Sequence, residues 1–224
     1  MNSGFVIEIG PLGISETVII TWGIMAVLVG LGFLLTLRLR LDPDSVQVAL
    51  EGIVSGIEAS IVAILPEQGR RVLPFVGTLW IFIVVSNLAG LIPGLTSPTG
   101  NLSVTAGLAI LVFFSVHWFG IRSNGLKRYL RHYIQPNPLL FPFHVVSELT
   151  RTVALAARLF GNMMSLEMAA LLVLMVAGFL VPIPILMLHI VEALVQAYIF
   201  GMLALIYIAG GIQSQQLKRT EQKE

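Results

Sequence analysis

Residues 144–196 read HVVSELTRTVALAARLFGNMMSLEMAALLVLMVAGFLVPIPILMLHIVEALVQ. This stretch sets Glu148, Arg151, Arg158, Asn162, Glu167, His189, Glu192 and Gln196 in sequence apolar enough for a bilayer. A charged side chain at the centre of a membrane helix costs about 2.5 to 3.5 kcal/mol on insertion scales, so such groups face protein or water and commonly serve ions. Nothing between Pro142 and Pro182 interrupts a helix, and a run of about 39 residues rising 1.5 Å each spans about 58 Å. Pro184 to Ser214 spans about 45 Å on the same rise. Both exceed a hydrocarbon core of about 30 Å, and apolar residues continue almost to both ends. Two long, strongly tilted helices, 142–180 and 184–213, forming a hairpin are therefore expected.

The rest of the chain agrees with a membrane setting. Of 224 residues, 56% are hydrophobic and 11% charged, against about 25% charged in an average soluble domain; the mean hydropathy is +0.91. The expected class is an all-α, polytopic membrane protein in one domain, residues 1–224. The absence of cysteine excludes disulfides and thiolate metal sites, and no cofactor, metal or nucleic-acid partner is expected. The N-terminal MNSGFVIEIG lacks a basic leader, which argues against a cleaved signal or transit peptide.

Residues 17–37 are uncharged for one membrane crossing. Residues 43–66 begin after Asp42 and carry Asp44, Glu51 and Glu58 at seven-residue intervals opposite Val48, Ile53, Val54, Ile57 and Ile61, the pattern of an interfacial amphipathic helix. Residues 72–121 contain no Asp, Glu, Lys or Arg, too long for one crossing and right for two, 73–92 and 104–121, cut at the turn-forming residues 93–103. Five crossing helices and one interfacial helix result. Eleven of the thirteen Lys and Arg residues (Arg38, Arg40, Arg70, Arg71, Arg122, Lys127, Arg128, Arg131, Lys218, Arg219 and Lys223) then share one face. The positive-inside rule puts the C-terminus in the cytoplasm and the N-terminus outside. The two exceptions are Arg151 and Arg158.

Helical geometry sorts the charges of the hairpin. Arg158 lies near the middle of the first long helix, with Ser147, Glu148 and Arg151 on its cytoplasmic side and Glu167 on its outer side. Arg151, Arg158 and Asn162 project within about 60° of one another, while Glu167 points away. On the returning helix Gln196 is central, and His189, Glu192 and Gln196 share a face. Two polar clusters thus approach the middle from opposite sides with Arg158 between them, the layout of two offset half-channels.

ARLFGNMMSLE at 157–167, HIVEALVQAYIF at 189–200 and SNLAGLIPG at 86–94 resemble the a subunit of F-type rotary ATP synthases, over about residues 17–211. The resemblance implies the fold just described, with the tilted pair against a rotating c-ring. It also implies b subunits and the remainder of the F1Fo complex as partners, and a bacterial plasma (inner) membrane location. It makes Arg158 the essential arginine, Gln196 the glutamine facing it, Asn162 a polar neighbour, and Glu167, His189 and Glu192 the outer half-channel. His144 stands where many members carry glutamate, and Glu148, one turn away, is the candidate inner carboxylate, with His144, Ser147 and Arg151 beside it. Thr152 replaces a common proline and Gly90 an aspartate found in some members. Protons are favoured over sodium as the ion, although the HVVSELTRT run and short N-terminus also resemble the sodium-translocating branch.

Other readings stay open at this point. Arg158 has a structural alternative in an ion pair with Glu192; Glu167, His189 and Glu192 in a satisfied interhelical network; Arg151 in snorkelling to the interface. His117 beside Trp118 reads as an interfacial anchor, and His132 as a solvated member of the basic loop. A self-sufficient channel or transporter is the competing function class, without the internal repeat or broken helices common there. A scaffold fails to explain Arg158. No phosphate loop or nucleophile constellation suggests an enzyme.

Overall fold

The computed structural model describes residues 5–9, 12–37, 44–92, 95–125, 141–177 and 182–213. Its body is all-α: α1 (Glu16–Leu37), α2 (Ser45–Ile64), α3 (Gly69–Ala89), α4 (Leu102–Asn124), α5 (Phe141–Ala177) and α6 (Pro182–Gln213). All six are long and apolar enough to cross a membrane. A short antiparallel hairpin, β1 (Phe5–Ile9) and β2 (Leu12–Ser15), precedes α1. Several sequence features lie outside the described residues: Arg38 and Arg40, the turn residues Pro93 and Gly94, the loop with Lys127, Arg128, Arg131 and His132, residues 178–181 between the long helices, and the basic residues beyond 213.

The helix boundaries follow from local chemistry. The Asp44 carboxylate accepts a hydrogen bond from the Ser45 amide at 2.8 Å, capping α2. Gln47 and Glu51, one turn apart, are joined at 2.7 Å along its exposed face. A single helical turn of Pro98–Gly100 separates α3 from α4, and Asn101 caps α4 by accepting from the Ser103 amide at 2.9 Å. Gly125 ends α4 at φ 81°, a left-handed conformation that glycine adopts without steric cost. α5 runs unbroken for 37 residues and α6 for 32, or about 55 Å and 48 Å.

Close contacts give the helix directions. Asn87 and Trp80 of α3 meet Ala193 and Gly201 of α6, so these two helices are antiparallel. Gly100, just before α4, lies against Glu167 of α5 and His117 of α4 against Glu148, so α4 is antiparallel to α5 and parallel to α6, which it touches at Val116 and Gly211. On α5, Asn162 meets Gln196 and Arg151 meets Tyr207; eleven residues separate the members of each pair along either helix, the register of an antiparallel hairpin. The core they enclose includes Val76, Ile83, Leu159, Phe200, Leu205 and Ile208. α1 buries none of its residues, and Val29 and Phe33 on it are 72% and 65% exposed, which suits a helix surrounded by lipid.

Candidate functional site

Arg158 occupies an exposed row of α5 together with Val146, Leu149, Val153, Ala154 and Ala157, and it makes no hydrogen bond or ion pair among the described residues. The hairpin register explains why Glu192 does not pair with it. Arg158 is level with Phe200, and Glu192 lies eight residues earlier on α6, about 12 Å along the axis. One turn beyond Arg158, Asn162 Nδ2 donates to Gln196 Oε1 at 2.7 Å. Gln196 is 2% exposed, and its Nε2 has no partner among the described residues. A buried, unused donor costs about 1 to 3 kcal/mol. The amide is thus fixed by Asn162 with its donor end unsatisfied, on the same stretch of hairpin as a free guanidinium.

A second polar cluster lies towards the α3–α4 turn. Thr99 Oγ1 donates to Asn87 Oδ1 at 2.6 Å and contacts Ser97 Oγ at 2.7 Å, while Ser97 Oγ also reaches the Ser86 carbonyl at 3.0 Å. Asn87 Nδ2 donates to the Ala193 carbonyl at 3.1 Å, and His189 Nε2 lies 3.4 Å from the Asn87 carbonyl. Asn87 and Thr99 are fully buried, so this knot ties the turn to both α3 and α6. The Glu167 carboxylate sits against it. A Cβ at Gly100 would come within 3.1 Å of Glu167 Oε2, and one at Gly90 within 3.4 Å of Oε1; two glycines therefore make the hollow that the carboxylate fills, and its buried Oε1 lacks a partner. Glu192 is half-buried on the same side. Asn87→Leu is expected to lower stability by about 1 to 3 kcal/mol, read as a lower melting temperature of the detergent-solubilised complex.

The third group surrounds the start of α5. His144 and Ser147 are exposed, and Glu148 Oε2 lies 3.7 Å from His117 Nε2 on α4. The Arg151 guanidinium stands 5.7 Å from the centre of the Tyr207 ring, a cation–π contact across the hairpin rather than simple extension to an interface. His117 differs from the expected anchor: its ring bridges α4 and α5. Arg70, Arg71 and Arg122 lie at this same end, and Arg70 pairs with Glu58 at 3.4 Å on the surface. Asn87, Ser97 and Thr99 were not singled out by the sequence, and His117 was, but only as an anchor. For Asn87 there was a signal, because a carboxamide in the middle of an apolar span is costly unless it has partners.

The model of the family described as ATP synthase A chain matches residues 18–209. "ATP synthase subunit a 2" of Pelobacter propionicus is 62% identical over 217 residues, covering 97% of this chain and 95% of that protein. "ATP synthase subunit a" of Legionella pneumophila is 59% identical, covering 96% and 94%, and "ATP synthase subunit a 2" of a Bradyrhizobium species is 44% identical, covering 96% of each.

Proposed function

The chain belongs to the ATP synthase A chain family, and on that premise we propose that it conducts protons between a rotating c-ring and the two sides of the membrane, through half-channels offset about Arg158. As a family member it is a multi-pass membrane subunit of the F-type ATP synthase, with no catalytic site of its own. The observation that carries the proposal is an exposed arginine without a partner among the described residues, midway along an apolar helix. Arginine stays protonated in any protein environment. A ring carboxylate crosses lipid neutralised by its ion; beside Arg158 it remains ionised after releasing that ion. At an effective dielectric of about 20, charges 4 Å apart attract by about 4 kcal/mol, enough to favour release and weak enough for the next ion to displace the pair. The same charge repels ions leaking directly between the half-channels.

In this reading Asn162 and Gln196 keep a polar, oriented environment beside the arginine. Glu167, His189 and Glu192 line the outer path, and His144, Ser147, Glu148 and Arg151 the inner one. The separation of the two clusters along the hairpin supports this division, with Arg151, Tyr207 and Glu148 at one end and Glu167, His189 and the α3–α4 turn towards the other. The N-terminus is placed outside and the C-terminus in the cytoplasm of a bacterial inner membrane, α2 lies along the interface, and b subunits hold the chain against rotation. Each elementary charge moved is worth about 2.3 kcal/mol per 100 mV, which the ring converts to torque.

The ion is tested by ATP-driven uptake in proteoliposomes carrying the whole complex at low and high sodium. Uptake indifferent to sodium is expected. Sodium-stimulated uptake that persists when the proton gradient is collapsed would assign the path to sodium instead.

A further inference from the structure

We infer that His117 is part of the inner ion path, forming with Glu148 a proton-exchange pair that serves the half-channel below Arg158. The inference rests on the stator reading and deepens it, since that reading takes Glu148 as an inner carboxylate without saying what delivers its proton. His117 Nδ1 lies 2.9 Å from the Phe113 carbonyl one turn back along α4. A carbonyl only accepts, so Nδ1 carries the hydrogen in this bond. The proton that comes and goes is then on Nε2, and Nε2 is the atom that faces Glu148 Oε2, at 3.7 Å. The ring is steadied by Phe113, whose centroid is 4.5 Å away. One tautomer is thereby selected, and it aims its exchangeable nitrogen across the α4–α5 boundary.

The side chains of His117 and Glu148 are 28% and 22% exposed, so they are neither sealed in the core nor fully out on the surface. The surrounding charges favour a path over a closed clamp. On α5, His144 lies one turn before Glu148 and Arg151 three residues after it, the latter resting over Tyr207 of α6. Arg122 follows on α4, and Arg70 and Arg71 begin α3, all exposed. Arg70, Arg71 and Arg122 lie on the side of the pair towards the start of α5, and Arg151 lies one step deeper, between the pair and Arg158.

The step balances simply. The Nε2–H bond of the imidazolium breaks and an Oε2–H bond forms on Glu148, leaving a neutral imidazole and a neutral carboxyl; the carboxyl then passes its proton towards the c-ring carboxylate and returns to the anion, and a hydronium ion reprotonates Nε2 and leaves as water. A small side-chain rotation or one bridging water closes 3.7 Å to hydrogen-bonding distance. Imidazole suits the task because one ring nitrogen can hold its hydrogen on a carbonyl while the other takes up and releases a proton.

The test uses the whole complex in proteoliposomes, with rates expressed per assembled complex. His117→Gln, which cannot titrate, is expected to slow ATP-driven proton uptake about tenfold and to flatten its dependence on nucleotide-side pH over about pH 5 to 8. Glu148→Gln should give the same flattened profile, and the double variant should be no slower than the slower single variant. His117→Lys keeps a cation opposite Glu148 but does not exchange protons in this range; it should remain flattened. An unchanged pH profile in His117→Gln, or a wild-type profile restored by His117→Lys, would overturn the inference in favour of a structural pair, as would failure of both variants to assemble. Arg158→Ala, measured in parallel, keeps the two claims apart: pumping retained there sinks the stator reading, whereas pumping lost there with His117 variants unaffected sinks only the exchange pair.

Discussion

Arg158→Ala is expected to reduce coupled ion transport about a thousandfold while leaving the chain folded and assembled. The size follows from the interaction being removed, since about 4 kcal/mol of attraction between guanidinium and ring carboxylate corresponds to about three factors of ten. On the proposed mechanism, the carboxylate without it keeps its ion as it passes, and nothing bars ions from crossing between the half-channels. The structure explains why folding should survive. Arg158 is exposed and has no partner among the described residues, and surface substitutions away from caps, cores and networks usually stay within about 0.5 kcal/mol. Arg158→Lys should be nearly as inactive, because an ammonium is a compact, strongly hydrated point charge that gives up its proton when desolvated, whereas guanidinium does not. ATP-driven uptake per assembled complex, together with a thermal melt, checks both halves. Wild-type pumping by the alanine variant would remove the central claim, and a collapsed melt would recast Arg158 as a structural residue.

The long helices were legible because membrane segments announce themselves twice, by uninterrupted apolar length and by Pro, Gly and Asn at the breaks; the α3–α4 turn falls among those breaks. The polar face of α5 was legible too, since Arg151, Arg158 and Asn162 recur at helical spacing within an apolar run. Cross-helix pairing was not. When every face of a helix is apolar there is no stripe to say which side turns inward, so no periodicity could bring His117 to Glu148 or Thr99 to Asn87. The Gly90 and Gly100 hollow around Glu167 was hidden for a related reason: a missing Cβ is informative only once the group that fills its space is known. The β1–β2 hairpin was not legible either, because strands of five and four residues carry too short a pattern to read.

Packing between α3 and α6 yields the second large effect, on assembly rather than transport. A Cβ added at Gly201 would lie 2.9 Å from Trp80 Cδ2 and 3.0 Å from its Cγ and Cε2. These are the inner atoms of a flat ring that is 7% exposed and has Tyr198 beside it, with centroids 5.4 Å apart. The indole therefore has little room to turn away, and relief must come from the helices moving apart. In lipid, helix association depends on such close approach, because water does not drive apolar surfaces together there. Gly201→Ala is expected to cost about 1 to 3 kcal/mol, the usual penalty for overpacking. Gly201→Leu, with three more carbons to place, should push α3 from α6, break the Asn87 bond to Ala193 one side of the contact, and leave little chain in the assembled complex. Trp80→Phe should restore much of the loss in the alanine variant, since a smaller ring vacates the overlap. Yield of intact complex and its melting temperature across these three variants provide the check. If Gly201→Leu assembles and melts like the unsubstituted protein, α3 and α6 do not approach as closely as these distances state, and the His189 contact with the Asn87 carbonyl, which depends on the same approach, would have to be withdrawn with it.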